Sequence, residues 1–254
     1  MGLNICSLNS GSNGNSYYIE NEKEAILVDI GLSCRELERR LERLQLDTKK
    51  IKAIFISHEH SDHIKGLAVF AKKYSLPVYI SAETLKKSKV IISNSQVVEL
   101  AHLKDFLIGE LKVSAFSKLH DAIDPYSFMI TYRDVKVGVF TDIGDCCPSL
   151  IHFFSQCNAA FLECNYDDQL LEEGYYPYHL KQRIRGGRGH LSNKKALDLF
   201  MSHRAEHLSH LFLSHLSQHN NHPDLVLNLF KTASNGVEIV LASRESETAL
   251  YKIG

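Results

Sequence analysis

The sequence has no strong charge of either sign and no long hydrophobic run. Its formal net charge at pH 7 is -1 over 254 residues, so no overall attraction to nucleic acid is expected, and a polyanionic partner would need a local basic patch. The longest apolar runs have the length of a β-strand, which argues against a membrane-spanning helix and against a membrane partner.

The sequence also lacks a Cys-x-x-Cys motif, although Cys146 and Cys147 are adjacent, and it shows no leader pattern at its N-terminus. The six cysteines form no Cys-x-x-Cys pair, and residues Met1 to Asn4 show no basic region followed by an apolar stretch. Scattered cysteines without disulfide or zinc spacing are typical of a reducing compartment. We therefore predict a cytoplasmic protein without a signal peptide.

The length and patterning predict one α/β domain, residues 1–254, built from two similar halves. The chain is long enough for a sizeable core, and no low-complexity linker interrupts it. Hydrophobic periodicity and turn residues predict alternating strands and helices in both halves. The predicted strands are 3–8, 16–19, 25–31, 51–56, 77–80, 97–100, 106–108, 111–117, 126–132, 135–140, 159–162, 207–214, 237–241 and 250–252, and the predicted helices are 33–44, 66–74, 82–87, 149–155, 194–201 and 224–231.

A cluster of metal-ligand side chains follows the apolar run 51–56. His58, His60, Asp62 and His63 lie within six residues, at the carboxyl end of a predicted buried strand. In an extended chain His58 and His60 point to the same side, while Asp62 and His63 continue into a turn. Imidazole and carboxylate without thiolate suit Zn, Mn or Fe with open coordination positions, so we predict a hydrolytic metal site rather than a solvated turn.

The pattern His58-x-His60-x-Asp62-His63 after an apolar strand resembles the signature of the metallo-β-lactamase fold hydrolases. This resemblance implies an α/β fold, a four-layer αββα sandwich of two mixed β-sheets flanked by helices. The histidine motif alone implies little about the substrate.

Three later strand ends carry further candidate ligands. His120 follows the strand 111–117 and is favoured as a third imidazole for the first metal. Asp142 lies between a buried strand and a glycine turn, where it could bridge two cations, and Asp145 is the less favoured alternative. His215 ends its strand as His58 does, and is predicted as the last ligand.

Two features near the N-terminus have possible supporting roles. Asp29 ends an otherwise apolar strand, and because a buried carboxylate needs a partner, we predict that it accepts an N–H from a metal-binding histidine. Ser10, Gly11 and Ser12 belong to a hairpin loop rich in Gly, Asn and Ser. This loop is either a plain turn or a rim whose N–H groups bind an anionic substrate.

A basic segment precedes a glycine-rich turn in the second half of the chain. Lys181, Arg183, Arg185 and Arg188 lie within eight positions without an intervening acid and lead into His190. Such runs are often solvated faces. Here a local basic patch is what a near-neutral protein with a polyanionic substrate requires, so we predict that Lys181, Arg185 and Arg188 contact phosphates flanking the cleaved bond.

Several motifs taken in order narrow the resemblance. They are Ser-Gly-Ser-x-Gly-Asn, Ser-His-x-His-x-Asp-His-x-x-Gly, Thr-Asp-x-Gly, Leu-Lys-x-Arg-Ile, Gly-His-Leu-Ser-Asn, and Ser-His-Leu-Ser with Asn-Asn downstream. Together they resemble, essentially end to end, the YycJ/WalJ/VicX group, a bacterial branch regarded as 5′-to-3′ DNA exonucleases. The chain lacks the long exosite arm of tRNase Z and the cap domain of the β-CASP nucleases.

The resemblance also implies roles for individual residues. Glu163 and His190 match a Glu/His pair of the tRNase Z relatives, which implies that both are catalytic. Asn220, in the Asn-Asn block, is assigned to substrate binding, and His219 is left without a role.

The expected reaction is phosphodiester hydrolysis at two divalent metal ions, with DNA as the partner bound through its phosphates. A bridging water or hydroxide would attack, and His190, oriented by Glu163, would protonate the leaving oxygen or hold a non-bridging oxygen. The expected ligands are His58, His60 and His120 for one ion, Asp62, His63 and His215 for the other, and Asp142 for both.

Two other functions stay compatible with the sequence. One is a metallohydrolase that uses the same centre on a small ester, thioester or cyclic phosphodiester. The other is a non-catalytic regulatory protein that binds metal for stability and would unfold when the metal is removed. The metal is left open among Zn, Mn and Fe.

Overall fold

Two seven-stranded β-sheets pack face to face in the computed structural model, which describes residues 2–254. In spatial order the first sheet consists of β14 (Tyr251–Ile253), β1 (Leu3–Asn9), β2 (Ser16–Glu20), β3 (Ala25–Val28), β4 (Ile51–Phe55), β5 (Val78–Ile80) and β6 (Val97–Glu99). The second consists of β13 (Glu238–Leu241), β12 (His210–Ser214), β11 (Ala159–Glu163), β10 (Val135–Phe140), β9 (Tyr126–Tyr132), β8 (Leu111–Ser117) and β7 (Lys104–Ile108).

Nine α-helices accompany the sheets within the described residues. They are α1 (Cys34–Arg43), α2 (Ser61–Ile64), α3 (Leu67–Tyr74), α4 (Ala82–Ser88), α5 (Pro148–Phe154), α6 (Asp168–Glu173), α7 (Tyr178–Arg185), α8 (Asn193–His203) and α9 (Pro223–Lys231). Ser33 caps α1 and Ser192 caps α8, each by accepting a backbone N–H with its side chain. Between Gly2 and Gly254, no helix combines the length and apolarity needed to cross a bilayer.

The two sheets share one pairing pattern. In each, three antiparallel pairings lead from one edge and three parallel pairings follow to the other edge. The C-terminal strand β14 completes the first sheet by pairing with β1. Met1, which belongs to the predicted domain 1–254, lies outside the described residues, and the single-domain assignment stays a prediction.

Three apolar clusters define four layers. Phe55 and Phe128 belong to the cluster between the sheets, Phe70 to the cluster under the helices of the first sheet, and Phe154 and Phe200 to the cluster under those of the second. Successive residues of the parallel strands alternate between the central cluster and an outer one, as strands buried on both faces require. The predicted αββα sandwich is therefore confirmed.

The local structure differs from the predictions in two places. β4 ends at Phe55, so His58 and His60 lie in the following loop, and His60 directly precedes α2 instead of continuing the strand. The segment before His190 forms the helices α6 and α7, neither of which was predicted, and no residue of α7 is buried. In both places tertiary contacts, and not the hydrophobic periodicity of the segment, determine the backbone conformation.

Candidate metal centre

Side chains from loops of both sheets meet at one edge of the sandwich. His58 follows β4, His120 follows β8, Asp142 follows β10, and His215 follows β12. All four are at most 2% exposed. The carboxyl ends of neighbouring parallel strands lie at the same edge of a sheet, which explains why residues so distant in sequence converge.

Three imidazoles form the first set of converging groups. His58 Nε2 lies 3.0 Å from His60 Nδ1, and His120 Nε2 lies 3.4 Å from the same atom. These three side chains can each offer one nitrogen to a single ion. Neutral imidazole nitrogens at this separation suit a transition metal.

The second set contains a carboxylate and two imidazoles. Asp62 Oδ2 lies 3.5 Å from His63 Nε2 and 3.9 Å from His215 Nε2. The side-chain amide of Asn15 donates to Asp62 Oδ2 at 3.1 Å and lies 3.0 Å from His63 Nε2. Asn15 therefore fixes the relative orientation of the two groups.

Asp142 lies between the two sets. Its Oδ2 is 3.1 Å from His63 Nε2, and its Oδ1 is 3.8 Å from His120 Nε2. His215 Nδ1 is buried and lies 3.1 Å from Asp142 Oδ1 and 3.4 Å from Glu163 Oε1. Buried carboxylates and imidazoles that face one another this closely are the donor set of a divalent transition metal, so these residues fit bound metal.

Hydrogen bonds on the far side of three rings direct their Nε2 atoms toward the centre. Asp29 Oδ2 accepts from His63 Nδ1 at 2.7 Å, and the Gly189 carbonyl accepts from His120 Nδ1 at 3.0 Å. Ser57 Oγ lies 2.9 Å from His58 Nδ1 while it donates to Asp29 at 2.7 Å. Such partners fix the tautomer of a metal-binding histidine.

Glu163 and His190 form a pair beside the two sets. Glu163 Oε1 accepts from His190 Nδ1 at 2.7 Å, and the Glu163 carboxylate also accepts from the Ile143 backbone N–H. Glu163 is fully buried, whereas the His190 side chain is 23% exposed. His190 is thus held firmly by one nitrogen and is open to solvent on part of its ring.

The electrostatics of the centre couple the acids to the histidines. Burial would lower the pKa of His63, but Asp142, Asp29 and Asp62 outweigh it and raise that pKa to about 10. Burial would raise the pKa of Asp142, yet His215 and His63 hold it well below its usual range. In the protein alone, protons on histidine thus balance the buried carboxylates, and a divalent cation can take over that role.

The remaining shifts follow from burial and from the neighbouring pair. Burial lowers the pKa of His120 to about 3, and it lowers the pKa of His58 well below the usual range. Burial opposes ionisation of Glu163, but His190 outweighs it and lowers the pKa of Glu163 to about 2. His58 and His120 are therefore neutral at physiological pH, which is the state that binds metal.

Three residues of the centre adopt left-handed backbone conformations. The φ angles are 60° at Asp29, 54° at Asp142 and 56° at His215. This region is rare for residues other than glycine and costs of order 1–3 kcal/mol at each position. Each of the three residues lies just after a strand of the parallel part of a sheet. The surrounding fold stabilises these strained turns, and the turns orient the three side chains toward the centre.

The structure does not place the predicted N-terminal rim as expected. The Ser10 N–H donates to the Ser243 carbonyl, and the Gly11 N–H donates to Asn15 Oδ1. Ser10 Oγ accepts from the His215 N–H at 2.8 Å. Two of the three predicted anion donors are thus occupied within the protein, and only Ser12 is exposed.

The basic segment is only partly available for substrate. The Lys181 ammonium donates to the Glu172 carbonyl, and the Arg185 guanidinium pairs with the Glu172 carboxylate. Arg188 is exposed and has no ion-pair partner within the described residues. Asn220 is 1% exposed, with its amide 3.5 Å from Ser217 Oγ, which does not fit a substrate contact.

Sequence reasoning missed three residues that support the centre. Asn15 ends the Ser-Gly-Ser-x-Gly-Asn motif, and Ser57 begins the histidine motif. Membership in these motifs was the sequence signal for both residues. Lys118 is 6% exposed, and its ammonium donates to the Thr141 carbonyl at 2.6 Å, beside Asp142. The only sequence signal for Lys118 was its position two residues before His120.

Sequence comparisons identify a family and two related proteins. The profile of the metallo-beta-lactamase superfamily matches residues 10–140. Exodeoxyribonuclease YycJ of Bacillus anthracis is 34% identical over 89% of this chain and 86% of its own length. Exodeoxyribonuclease WalJ of Streptococcus pneumoniae is 31% identical over 94% of this chain and 92% of its own length.

A solved structure shares the fold at low sequence identity. The crystal structure of the metallo-beta-lactamase fold protein YhfI from Bacillus subtilis superposes with a TM-score of 0.73 at 19% identity. The superposition covers 99% of this chain and 100% of YhfI. At that identity the likeness shows the fold alone.

Proposed function

Because this chain belongs to the metallo-β-lactamase superfamily and matches the YycJ and WalJ exodeoxyribonucleases over most of its length, we propose that it is a 5′-to-3′ DNA exonuclease. The predicted enzyme class, a metal-dependent hydrolase, is confirmed by the same relationships. The proposal adds the substrate, the direction of digestion and a centre of two ions. We also propose a cytoplasmic site of action, which the six free cysteines support.

The observation that carries the proposal is the position of Asp142 between two sets of ligands. His58, His60 and His120 form the set on one side of Asp142. Asp62, His63 and His215 form the set on the other side. One carboxylate within 4 Å of nitrogens from both sets is suited to hold two cations at a fixed separation. When bound, two divalent cations supply a water nucleophile at neutral pH and stabilise negative charge on the phosphoryl oxygens.

The residues around the ions prepare the site for a phosphodiester. Asp29, through His63, and Gly189, through His120, hold the rings so that their Nε2 atoms face the centre. His190 is positioned to donate a proton to the departing oxygen or to hold a non-bridging oxygen, and Glu163 fixes its orientation. Arg188, exposed and unpaired, is suited to contact a flanking phosphate.

The test compares DNA with a small phosphodiester. Purified protein loaded with Mn²⁺ or Zn²⁺ is given linear duplex DNA labelled at either the 5′ or the 3′ end and, separately, bis(p-nitrophenyl) phosphate. We expect the 5′ label to be released first, as mononucleotide, and metal analysis to find two equivalents per chain.

The other outcomes distinguish the parts of the proposal. Release of the 3′ label first would contradict the direction, and one metal equivalent in the active protein would contradict the dinuclear centre. Hydrolysis of bis(p-nitrophenyl) phosphate without degradation of any DNA would instead indicate a hydrolase of small esters.

A further inference from the structure

Three aromatic side chains cluster on the surface of the second half of the chain. Tyr175 and Tyr176 lie between α6 and α7, and His219 lies in the loop after β12. The ring centroids of the two tyrosines are 5.2 Å apart, and His219 lies 5.6 Å from Tyr175 and 6.1 Å from Tyr176. Tyr175 is 76% exposed, so the cluster is open to a ligand instead of packing into the core.

A cavity of about 300 Å³ lies beside the loop that carries His219. Ser10, Ser217 and Arg244 contribute to its lining, together with the exposed acid Glu245. Arg244 Nη1 is buried and has no hydrogen-bond partner within the described residues. A guanidinium nitrogen in that state lacks an acceptor that an anionic oxygen would supply.

The cavity and the aromatic cluster are neighbours. Gln218, which directly precedes His219, lines the cavity, and so do Asn221 and His222 farther along the same loop. Aromatic rings beside an arginine are the combination by which proteins bind single-stranded nucleic acid, since bases stack on the rings and the cation binds the backbone.

The loop after β12 connects this cavity to the metal centre. The cavity lining begins at Leu216, the residue after His215, and includes Ser10, whose Oγ accepts from the His215 N–H. On the other side, α7 has eight residues between the tyrosines and the loop that carries His190.

We infer that Tyr175, Tyr176, His219 and Arg244 form a stacking subsite for the single strand that leads into the metal centre. Bases two or more nucleotides from the cleaved bond stack on the rings, and Arg244 binds a phosphate between them. This inference rests on the proposed nuclease function and adds the substrate feature that is recognised, an unpaired strand with its bases intact.

The test separates binding of the strand from chemistry at the centre. Tyr175→Ala, Tyr176→Ala and Arg244→Met are assayed on a single-stranded oligonucleotide and on bis(p-nitrophenyl) phosphate. Because stacking on one aromatic side chain contributes of order 1–3 kcal/mol, we expect KM for the oligonucleotide to rise about 5- to 150-fold in the tyrosine variants. We expect kcat/KM for bis(p-nitrophenyl) phosphate to stay within twofold of the unsubstituted protein.

Two variants serve as controls. Tyr178→Ala removes a tyrosine that is 75% exposed but makes no ring contact within the described residues, so KM should not change. Tyr175→Phe keeps the ring and should retain the original KM. An oligonucleotide with abasic positions opposite the subsite should bind the original protein and Tyr175→Ala equally.

The results that overturn the inference differ from those that overturn the nuclease function. An unchanged KM in the tyrosine variants, or an equal loss on both substrates, would exclude a stacking subsite while the enzyme still degrades DNA. If the original protein hydrolyses bis(p-nitrophenyl) phosphate and no nucleic acid, the nuclease proposal itself fails.

Discussion

At Asp142 the backbone conformation and the charge constrain a substitution separately. The residue combines a φ of 54° with a carboxylate that lies between two sets of metal-ligand groups. Alanine at this position would both remove the carboxylate and add strain of about 1–2 kcal/mol. Asparagine tolerates the left-handed region better than most residues, so it isolates the effect of charge.

For Asp142→Asn we therefore expect a folded protein with little activity. Cleavage of DNA and of bis(p-nitrophenyl) phosphate should fall at least about 100-fold, because the group that spans both ligand sets is lost. The melting temperature should stay within about 5 °C of the original, since the backbone conformation is kept. Circular dichroism and metal analysis beside the two assays provide the measurement, and undiminished cleavage would contradict the assigned role of Asp142.

At the scale of elements, α7 shows how neighbours decide what a charged segment does. Three of its cations are engaged: Lys181 and Arg185 contact Glu172 of α6, and Arg183 pairs with Asp121 in the loop that carries His120. Arg188, just beyond the helix, has no such partner within residues 2–254. The segment thus fastens α7 to its surroundings and leaves one cation for phosphate.

This arrangement predicts unequal effects of two substitutions. Arg188→Ala should weaken oligonucleotide binding about 3- to 10-fold and lower the slope of binding against salt by about one counterion, because a phosphate contact is lost. Lys181→Ala should change binding less than twofold, since its ammonium already has an acceptor. Fluorescence anisotropy at several salt concentrations measures both, and equal losses in the two variants would show that the contact with Glu172 opens when DNA binds.

At the scale of the whole molecule, the core does not depend on the metal centre. The three apolar clusters are built from strand and helix residues such as Phe128, Phe161 and Phe212, and none contains a residue of the ligand sets. Burial of apolar surface is the main source of folding free energy. Bound metal adds stability by mass action, about 3–4 kcal/mol when it is 100- to 1,000-fold above its dissociation constant.

Removal of metal by a chelator should therefore abolish hydrolysis without unfolding the chain at 25 °C. The melting temperature should fall by about 5–15 °C, as expected for a loss of that size in a domain of this length. Calorimetry and circular dichroism, run beside the DNA assay, measure both effects. Unfolding of the chelated protein at 25 °C would instead favour a regulatory protein that binds metal for stability.

The sequence by itself determined the fold class and the side chains that meet at the centre. Strand periodicity is a local property, and so is the placement of His58, Asp142 and His215 just after apolar strands. Because the ends of parallel strands share an edge, these local signals were enough to anticipate which side chains converge. They were also enough to pair buried Asp29 with a histidine, since a buried carboxylate requires a partner.

Only the tertiary structure decided which polar groups are already satisfied and which are free. Lys181 and Arg188 belong to one run in the sequence, yet Glu172 occupies the first and nothing within the described residues occupies the second. Tyr176 and His219 are 43 positions apart, and only folding brings their rings together. Hydrogen bonds, ion pairs and ring contacts depend on distances between remote segments, and periodicity along the chain carries no information about those distances.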